Sequence, residues 1–306
     1  MEYREQYQRY VAMVEETIEQ ILPQTEEECP NEMRIPKRLC EAMRYSLLAG
    51  GKRIRPVLLL ATCEMLGGDV EQARVPAAAL EMIHTYSLIH DDLPGMDNDT
   101  LRRGRPTNHV VCGEGQAILA GDGLLSYAME LMLQNAMTYP EHSARHILAM
   151  NDIMAGAGVG GMVGGQCMDL YCEREHISDE RLLAYIHVNK TSRMLTSPLR
   201  AAAALAGFAP DSPETTALTV YGVKFGLLFQ AVDDILDVVG DEKTLGKSIG
   251  KDAEEGKLTY VTLYGLEGAR ERADALAAEA KDSLAIFGDK AAFFVKLLDD
   301  MTHRVA

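Results

Sequence analysis

Two stretches of this chain are apolar on nearly every helical face, and they constrain its fold more than any other feature. Residues 76–90 read PAAALEMIHTYSLIH and residues 221–239 read YGVKFGLLFQAVDDILDVV. A helix that is hydrophobic all round has to be surrounded by other elements. Both runs therefore predict central, buried helices. Alternating apolar and polar runs bounded by turn residues are missing, and Ala, Leu, Met, Glu and Lys dominate most segments, so the expected fold class is all-α. Tyr3, Tyr7, Tyr10, Val14, Ile18 and Ile21 recur three or four apart, which predicts an amphipathic opening helix that stops before Pro23. Pro76 suits the first turn of the next long helix. Loops are expected around residues 23–36, 140, 210–213 and 240–256.

With 306 residues, 47% of them hydrophobic, the chain can bury one continuous core, and no linker or repeat divides it. One domain over residues 1–306 is expected. The formal charge of −16 argues against nucleic acid, which is bound through a broad excess of Lys and Arg. The cysteines Cys29, Cys40, Cys63, Cys112, Cys167 and Cys172 lack zinc-site spacing. The opening MEYREQYQRY has no apolar core of a signal peptide, and no uncharged apolar run reaches about 18 residues, so a cytoplasmic protein without a transmembrane segment is expected. Gly156, Gly158 and Gly161 match a dinucleotide fingerprint, but the residues before them have helical composition, so close helix packing is the better reading. The small residues of Ala201 to Gly207 also read as packing.

The chemical signal is a pair of acidic clusters placed at the ends of the two apolar runs. Asp91, Asp92 and Asp97 stand in DDLPGMD, and Asp233, Asp234 and Asp237 in DDILD. Four residues on a helix is about 40° of rotation, so Asp233 and Asp237 share a face, and like charges there are destabilising unless a cation lies between them. Asp91 and Asp97 would diverge on a regular helix, but Pro94 and Gly95 allow a bulge that returns Asp97 to the side of Asp91. Oxygen-only ligands favour Mg²⁺ or Mn²⁺ shared with phosphate groups. Positive charge is concentrated in GGKRIRP, with Lys52, Arg53 and Arg55, and in LRRGRP, with Arg102, Arg103 and Arg105. Arginine forks and lysine ammonium groups suit diphosphates. Taken alone, Arg53 and Arg105 read as surface charge, and His84 reads equally as a core residue or a phosphate donor.

GGKRIRP, HTYSLIHDDLPGMDNDTLRRGRPTNH, GGQCMDL, NKTSRML, FQAVDDILD and LGKSIGKD, in that order, resemble the trans-prenyl diphosphate synthases, most of all farnesyl diphosphate synthases of the bacterial type. The resemblance implies a helical bundle around a deep central cavity, the isoprenoid synthase fold, paired as a homodimer. It implies three Mg²⁺ ions, for which Mn²⁺ can substitute, with Asp91, Asp97 and Asp233 as principal ligands and Asp92, Asp234 and Asp237 completing or orienting the shell. Lys52, Arg55, His84 and Arg103 would hold isopentenyl diphosphate. Arg102, Lys190, Thr191, Gln230, Lys247 and Lys257 would serve the allylic diphosphate, with Arg102, Lys190 and Lys247 assisting its ionisation. Tyr86 and Ser87 would form the floor that limits chain length.

The implied reaction condenses isopentenyl diphosphate with dimethylallyl and geranyl diphosphate to give (E,E)-farnesyl diphosphate. Tyr86 lies five residues, about 7.5 Å of helix, before Asp91, and a ring there would stop a tail at intermediate depth. A geranylgeranyl diphosphate synthase of the same mechanism is the alternative. A terpene cyclase is a second alternative, disfavoured by the second diphosphate site, and a non-catalytic partner subunit a third, disfavoured by two intact acidic motifs. A basic C-terminal tail helps close such sites in this family, and here only Arg304 is available.

Overall fold

The computed structural model describes residues 2–24, 35–239 and 258–302 and is all-α apart from one two-residue hairpin. The chain falls into two compact units: Met1–Leu60 with Val70–Ile147, and Ala61–Asp69 with Leu148–Ala306. The first unit is built from α1 (Tyr3–Ile21), α2 (Lys37–Leu47), the start of α3 (Ile54–Met65), α4 (Val70–Asp91), the hairpin β1 (Leu101–Arg102) and β2 (Arg105–Pro106), α5 (Asn108–Cys112) and α6 (Glu114–Thr138). After α7 (Ser143–Ala157), the second is built from α8 (Met162–Arg174), α9 (Glu180–Ile186), a π-helical turn (His187–Ser192), α10 (Arg193–Leu205), α11 (Pro213–Val239), α12 (Tyr260–Ser283) and α13 (Ala292–Thr302).

The first apolar run lies in α4, as expected, but the helix starts at Val70, so Pro76 is internal rather than in the first turn. A proline here removes the N–H that would bond the carbonyl of Gln72. Asn135 of α6 supplies the missing donor, its Nδ2 lying 3.1 Å from that carbonyl. The helix thus tolerates Pro76 because its neighbour repairs the ladder. In α1, Tyr10, Val14 and Ile18 are buried, and the helix ends at Ile21, ahead of Pro23 as predicted.

In the second unit α11 is the buried centre. Tyr221 and Phe225 are fully buried, stack on each other, and Tyr221 donates from its hydroxyl to the carbonyl of Phe294 on α13 at 3.2 Å. Each such ring contributes roughly 1.5–3 kcal/mol by leaving water. Although α11 is long and apolar enough to span a bilayer, more than half of its most apolar window is buried within the protein. Close approach is bought by glycine: a Cβ on Gly222 would lie 2.7 Å from the Cα of Thr196, and one on Gly226 only 2.4 Å from that of Ser192. Gly156 likewise faces Ser197, and Gly161 closes the turn before α8, so the Gly156–Gly161 run is helix packing as read.

The hairpin at Leu101–Pro106 was not predicted. Arg103 at φ 54° and Gly104 at φ 71° make the two left-handed residues of a tight turn, a conformation for which Arg103 supplies no sequence signal. Gly226→Ala should lower stability by about 1–3 kcal/mol, because backbone rather than a flexible side chain opposes the new methyl. Gly115→Ala, with nothing within 4 Å, should be neutral or slightly stabilising. Urea unfolding midpoints of the two variants check this contrast.

Candidate active site

In the first unit the Gly50–Arg55 segment, a loop that runs into the first turn of α3, carries three cations that meet different fates. Gly50 and Gly51 both have left-handed φ, at 77° and 136°, and a Cβ on Gly51 would strike the Arg103 guanidinium at 2.7 Å. Arg103 reaches across from the hairpin turn to donate to the carbonyl of Gly50. Lys52 is exposed. Arg53, read from sequence as surface charge, is instead 2% exposed and fully bonded: Nε to Glu15 at 2.7 Å, Nη1 to Glu81 at 2.7 Å and Nη2 to the Leu47 carbonyl at 2.7 Å. The sequence signal was present in Glu81, a carboxylate within the apolar run that needs a buried partner. Arg105 is exposed and lies over the Tyr45 ring, in keeping with its reading.

Arg55 and His84 are the members of this cluster with buried polar atoms left over. Arg55 Nε and His84 Nδ1 have no hydrogen-bond partner in the protein. Burial lowers Arg55 to about 10, with Arg103 acting in the same direction and Glu81 against it. Burial, followed by Arg55, Arg103, Arg102 and Arg53, holds His84 well below 6.5, so its imidazole is neutral at pH 7. Buried donors without acceptors, among converging positive charges, suit an anion with several oxygens.

At the end of α4 the acidic motif leaves the helix. The amide of Asp97 donates to the carbonyl of Asp91 at 2.8 Å, which returns Asp97 beside Asp91 as the bulge argument requires. Asp92 is different: it is 3% exposed, and Arg102 holds its Oδ1 through Nε at 2.7 Å and Nη2 at 2.6 Å. Burial raises the Asp92 carboxyl while Arg102 lowers it. Asp92 and Arg102, expected to serve metal and diphosphate respectively, serve each other in this structure. An open pocket, lined also by Tyr45, Thr85, Leu88 and Arg103, lies beside the pair.

The second unit repeats this division. Asp234, expected among the metal ligands, has both oxygens engaged: Gln230 Nε2 donates to one at 3.1 Å and the backbone amide of Tyr260 to the other at 2.8 Å. Thr191 in turn donates to Gln230 Oε1 at 3.0 Å, so three predicted residues form one chain that ends at the start of α12. Lys190 pairs with Asp169 of GGQCMDL at 2.7 Å, a partner that sequence reasoning did not single out. Both Lys190 and Thr191 lie on the π turn, which no residue pattern announced; such turns recur at functional sites. Gly165 is required beside it, since a Cβ there would sit 2.2 Å from the Lys190 amide. Asp233 is half-buried and Asp237 buried on α11. Lys247, Lys257, Arg304, Cys29 and the loop at 240–256 lie outside the described residues.

Among the described residues no three His, Cys, Asp or Glu side chains converge on a common point. A hard cation held here would take one or two carboxylates from a motif and complete its shell from substrate oxygens, the usual arrangement for Mg²⁺. The Asp91–Asp97 pair and the oxygen-only donor set fit that requirement.

A model of the polyprenyl synthetase family matches residues 36–286. The geranylgeranyl diphosphate synthase of Cyanophora paradoxa is 43% identical over 269 residues, 88% of each chain. A crystal structure of an FPP/GFPP synthase from Zymomonas mobilis aligns with a TM-score of 0.85 at 33% identity over 98% of both chains. A geranyltransferase from Helicobacter pylori, complexed with magnesium and isoprenyl diphosphate, aligns at 0.79 and 32% identity over 97% of this chain and 96% of its own. The chain therefore belongs to the polyprenyl synthetase family, the trans-prenyl diphosphate synthases, and has their all-α isoprenoid synthase fold.

Acid stability tests the electrostatics of the second unit. Burial pushes His187 down to about 3, and Lys190 adds to this while Asp169 opposes it. Its folded value lies below its unfolded value, so as pH falls through about 6.5 the unfolded chain takes up a proton that the folded chain refuses. Stability is then lost between about 6.5 and 3. In His187→Gln the decline from pH 6 to 5 should be shallower by about 1.4 kcal/mol per pH unit, read from urea titrations.

Proposed function

We propose that this chain elongates an allylic diphosphate with isopentenyl diphosphate, and one observation carries the reading: Arg55, His84 and Arg103 form a cationic cluster, additional to the acidic motifs, in which the buried Arg55 Nε and His84 Nδ1 have no hydrogen-bond partner in the protein. Lys52 would add its charge at the exposed rim. A terpene cyclase ionises a single diphosphate and has no need of that second site. Arg102, Lys190, Thr191, Gln230, Lys247 and Lys257 would serve the allylic diphosphate, and Asp91, Asp97, Asp233 and Asp237 the divalent cations. The magnesium named for the Helicobacter pylori relative supports Mg²⁺ as the cation; three ions, with Mn²⁺ as a substitute, remain the expectation from the family resemblance. Asp92 and Asp234 act as positioning residues for Arg102 and Gln230.

Magnesium, when bound, supplies charge that favours departure of the diphosphate. The chain's residues do the remaining work. Lys190 and Arg102 stabilise charge developing on the leaving group, and apolar side chains keep water from the allylic cation. The isopentenyl double bond attacks that cation, a carbon–carbon bond forms, and a proton is lost to the departed pyrophosphate. His84, neutral at pH 7, donates a hydrogen bond to the isopentenyl diphosphate rather than taking the proton.

Two observations bear on product length. The Cyanophora paradoxa relative makes the geranylgeranyl product favourable, and the comparisons support twenty carbons better than fifteen. Tyr86 supports farnesyl: it is 7% exposed, with its ring edge-on to His90 at 5.7 Å, and His90 Nε2 contacts the Ile118 carbonyl at 3.0 Å. A homodimer is supported by the exposed Ile118, Leu119, Leu133 and Met137 of α6, an apolar surface suited to a second copy.

Purified protein with Mg²⁺, isopentenyl diphosphate and dimethylallyl, geranyl or farnesyl diphosphate tests the proposal by product analysis. Elongation of any primer supports it; cyclised hydrocarbon without consumption of isopentenyl diphosphate overturns it. Tyr86→Ala should lengthen the terminal product, and unchanged length would remove Tyr86 as the floor. Asp233→Ala should lower kcat on the order of 10³-fold.

A further inference from the structure

The isopentenyl site has a loop whose shape its own sequence does not stabilise. Arg53 sits at φ 51°, a left-handed conformation that costs a non-glycine residue about 1–2 kcal/mol. Gly50 and Gly51 on one side accept left-handed backbone freely, so nothing within residues 50–53 fixes where Lys52 stands or how the loop enters α3, which carries Arg55. Besides the Leu47 carbonyl that accepts from Arg53 and the Arg103 bond to the Gly50 carbonyl, the restraint comes from two further helices. On α1, the Tyr7 hydroxyl donates to the Lys52 carbonyl at 2.5 Å and Glu15 holds Arg53 Nε at 2.7 Å. On α4, buried Glu81 holds Arg53 Nη1 at 2.7 Å. The two α1 contacts are eight residues apart, so they grip the loop at two heights along one helix.

The grip is only as good as the rigidity of α1, and that helix is fastened along its length. Tyr10, Val14 and Ile18 are no more than 1% exposed. Arg74 of α4 binds Thr17 at 3.0 Å and Glu16 at 2.5 Å. Arg44 of α2 binds Glu19 at 2.7 Å, and Tyr127 of α6 donates to the Ile21 carbonyl at 2.8 Å. Burial, reinforced by the Glu81 charge, raises the Tyr7 hydroxyl well above 10, so it remains a donor across the working pH range.

We infer that Tyr7 and Glu15 of α1, with Glu81 of α4, are positioning residues for isopentenyl diphosphate: they hold the loop at Lys52 and Arg53, and with it the start of α3 that carries Arg55, in its diphosphate-binding shape without touching substrate. The inference rests on the reading of Arg55 and Lys52 as isopentenyl diphosphate ligands. Its signature is selective. Loosening the loop weakens one substrate and spares the other, whereas general destabilisation affects both.

The test is steady-state kinetics of Tyr7→Phe, Glu15→Gln and Arg55→Gln, varying isopentenyl and geranyl diphosphate separately. Tyr7→Phe removes one oxygen and Glu15→Gln preserves size, so Tyr7→Phe decides the matter if Glu15→Gln fails to fold. Each should raise KM for isopentenyl diphosphate roughly three- to tenfold, the equivalent of one hydrogen bond, with KM for geranyl diphosphate unchanged. Arg55→Gln should raise the isopentenyl KM further. If Arg55→Gln raises it and the two α1 variants do not, or if they raise both KM values equally, the positioning role is overturned and the ligand reading stands. If Arg55→Gln leaves the isopentenyl KM unchanged, the ligand reading falls and the inference with it.

Discussion

Glu81 is the charge on which the first unit depends. It is 1% exposed, within the apolar run of α4, and its carboxylate binds Arg53 at 2.7 Å. A lone buried carboxylate would be prohibitively costly, and so would the arginines facing it. Together they are tolerable: the Glu81 charge favours the protonated forms of Arg53, Arg55 and Arg103 alike. Two carboxylates, Glu81 and Glu15, against Arg53, Arg55 and Arg103 leave a net positive charge that an anion can satisfy. Arg53, fixed by this pair, sets the loop; the loop requires Gly51; and Gly51 gives room to Arg103.

The acidic motifs show a second economy. Each contains adjacent aspartates, and in each the second is used by the protein itself. Asp92 locks Arg102, while Asp234 ties Gln230 to the first amide of α12. In the function proposed above, Asp92 and Asp234 orient side chains that would bind the allylic diphosphate, and Asp91, Asp97, Asp233 and Asp237 would supply oxygen to the divalent cations.

Much of this was legible in the sequence because it rests on short-range rules. Helical composition gave the fold class, the all-round apolar runs gave α4 and α11 as buried helices, and Pro94-Gly95 gave the return of Asp97 to Asp91. What was not legible depends on partners distant in the chain. Pro76 is internal because Asn135, 59 residues on, replaces its missing donor. Arg53 is buried because Glu15 and Glu81 come to it from two helices. The hairpin carries only Gly104 as a turn residue, with Arg103 beside it in an unannounced left-handed conformation, and the π turn at Lys190 has no residue signature. Asp92 and Asp234 could not be separated from their neighbours by spacing alone.

The proposed function makes the Arg55–His84–Arg103 cluster of the first unit able to hold a diphosphate without a metal. Calorimetric titration of isopentenyl diphosphate into the protein in the presence of EDTA tests it most directly. The account predicts saturable binding of one equivalent per chain that weakens as salt rises and is lost in Arg55→Gln. Absence of binding until Mg²⁺ is supplied would contradict it, because the acidic motifs rather than the Arg55–His84–Arg103 cluster would then be the source of affinity.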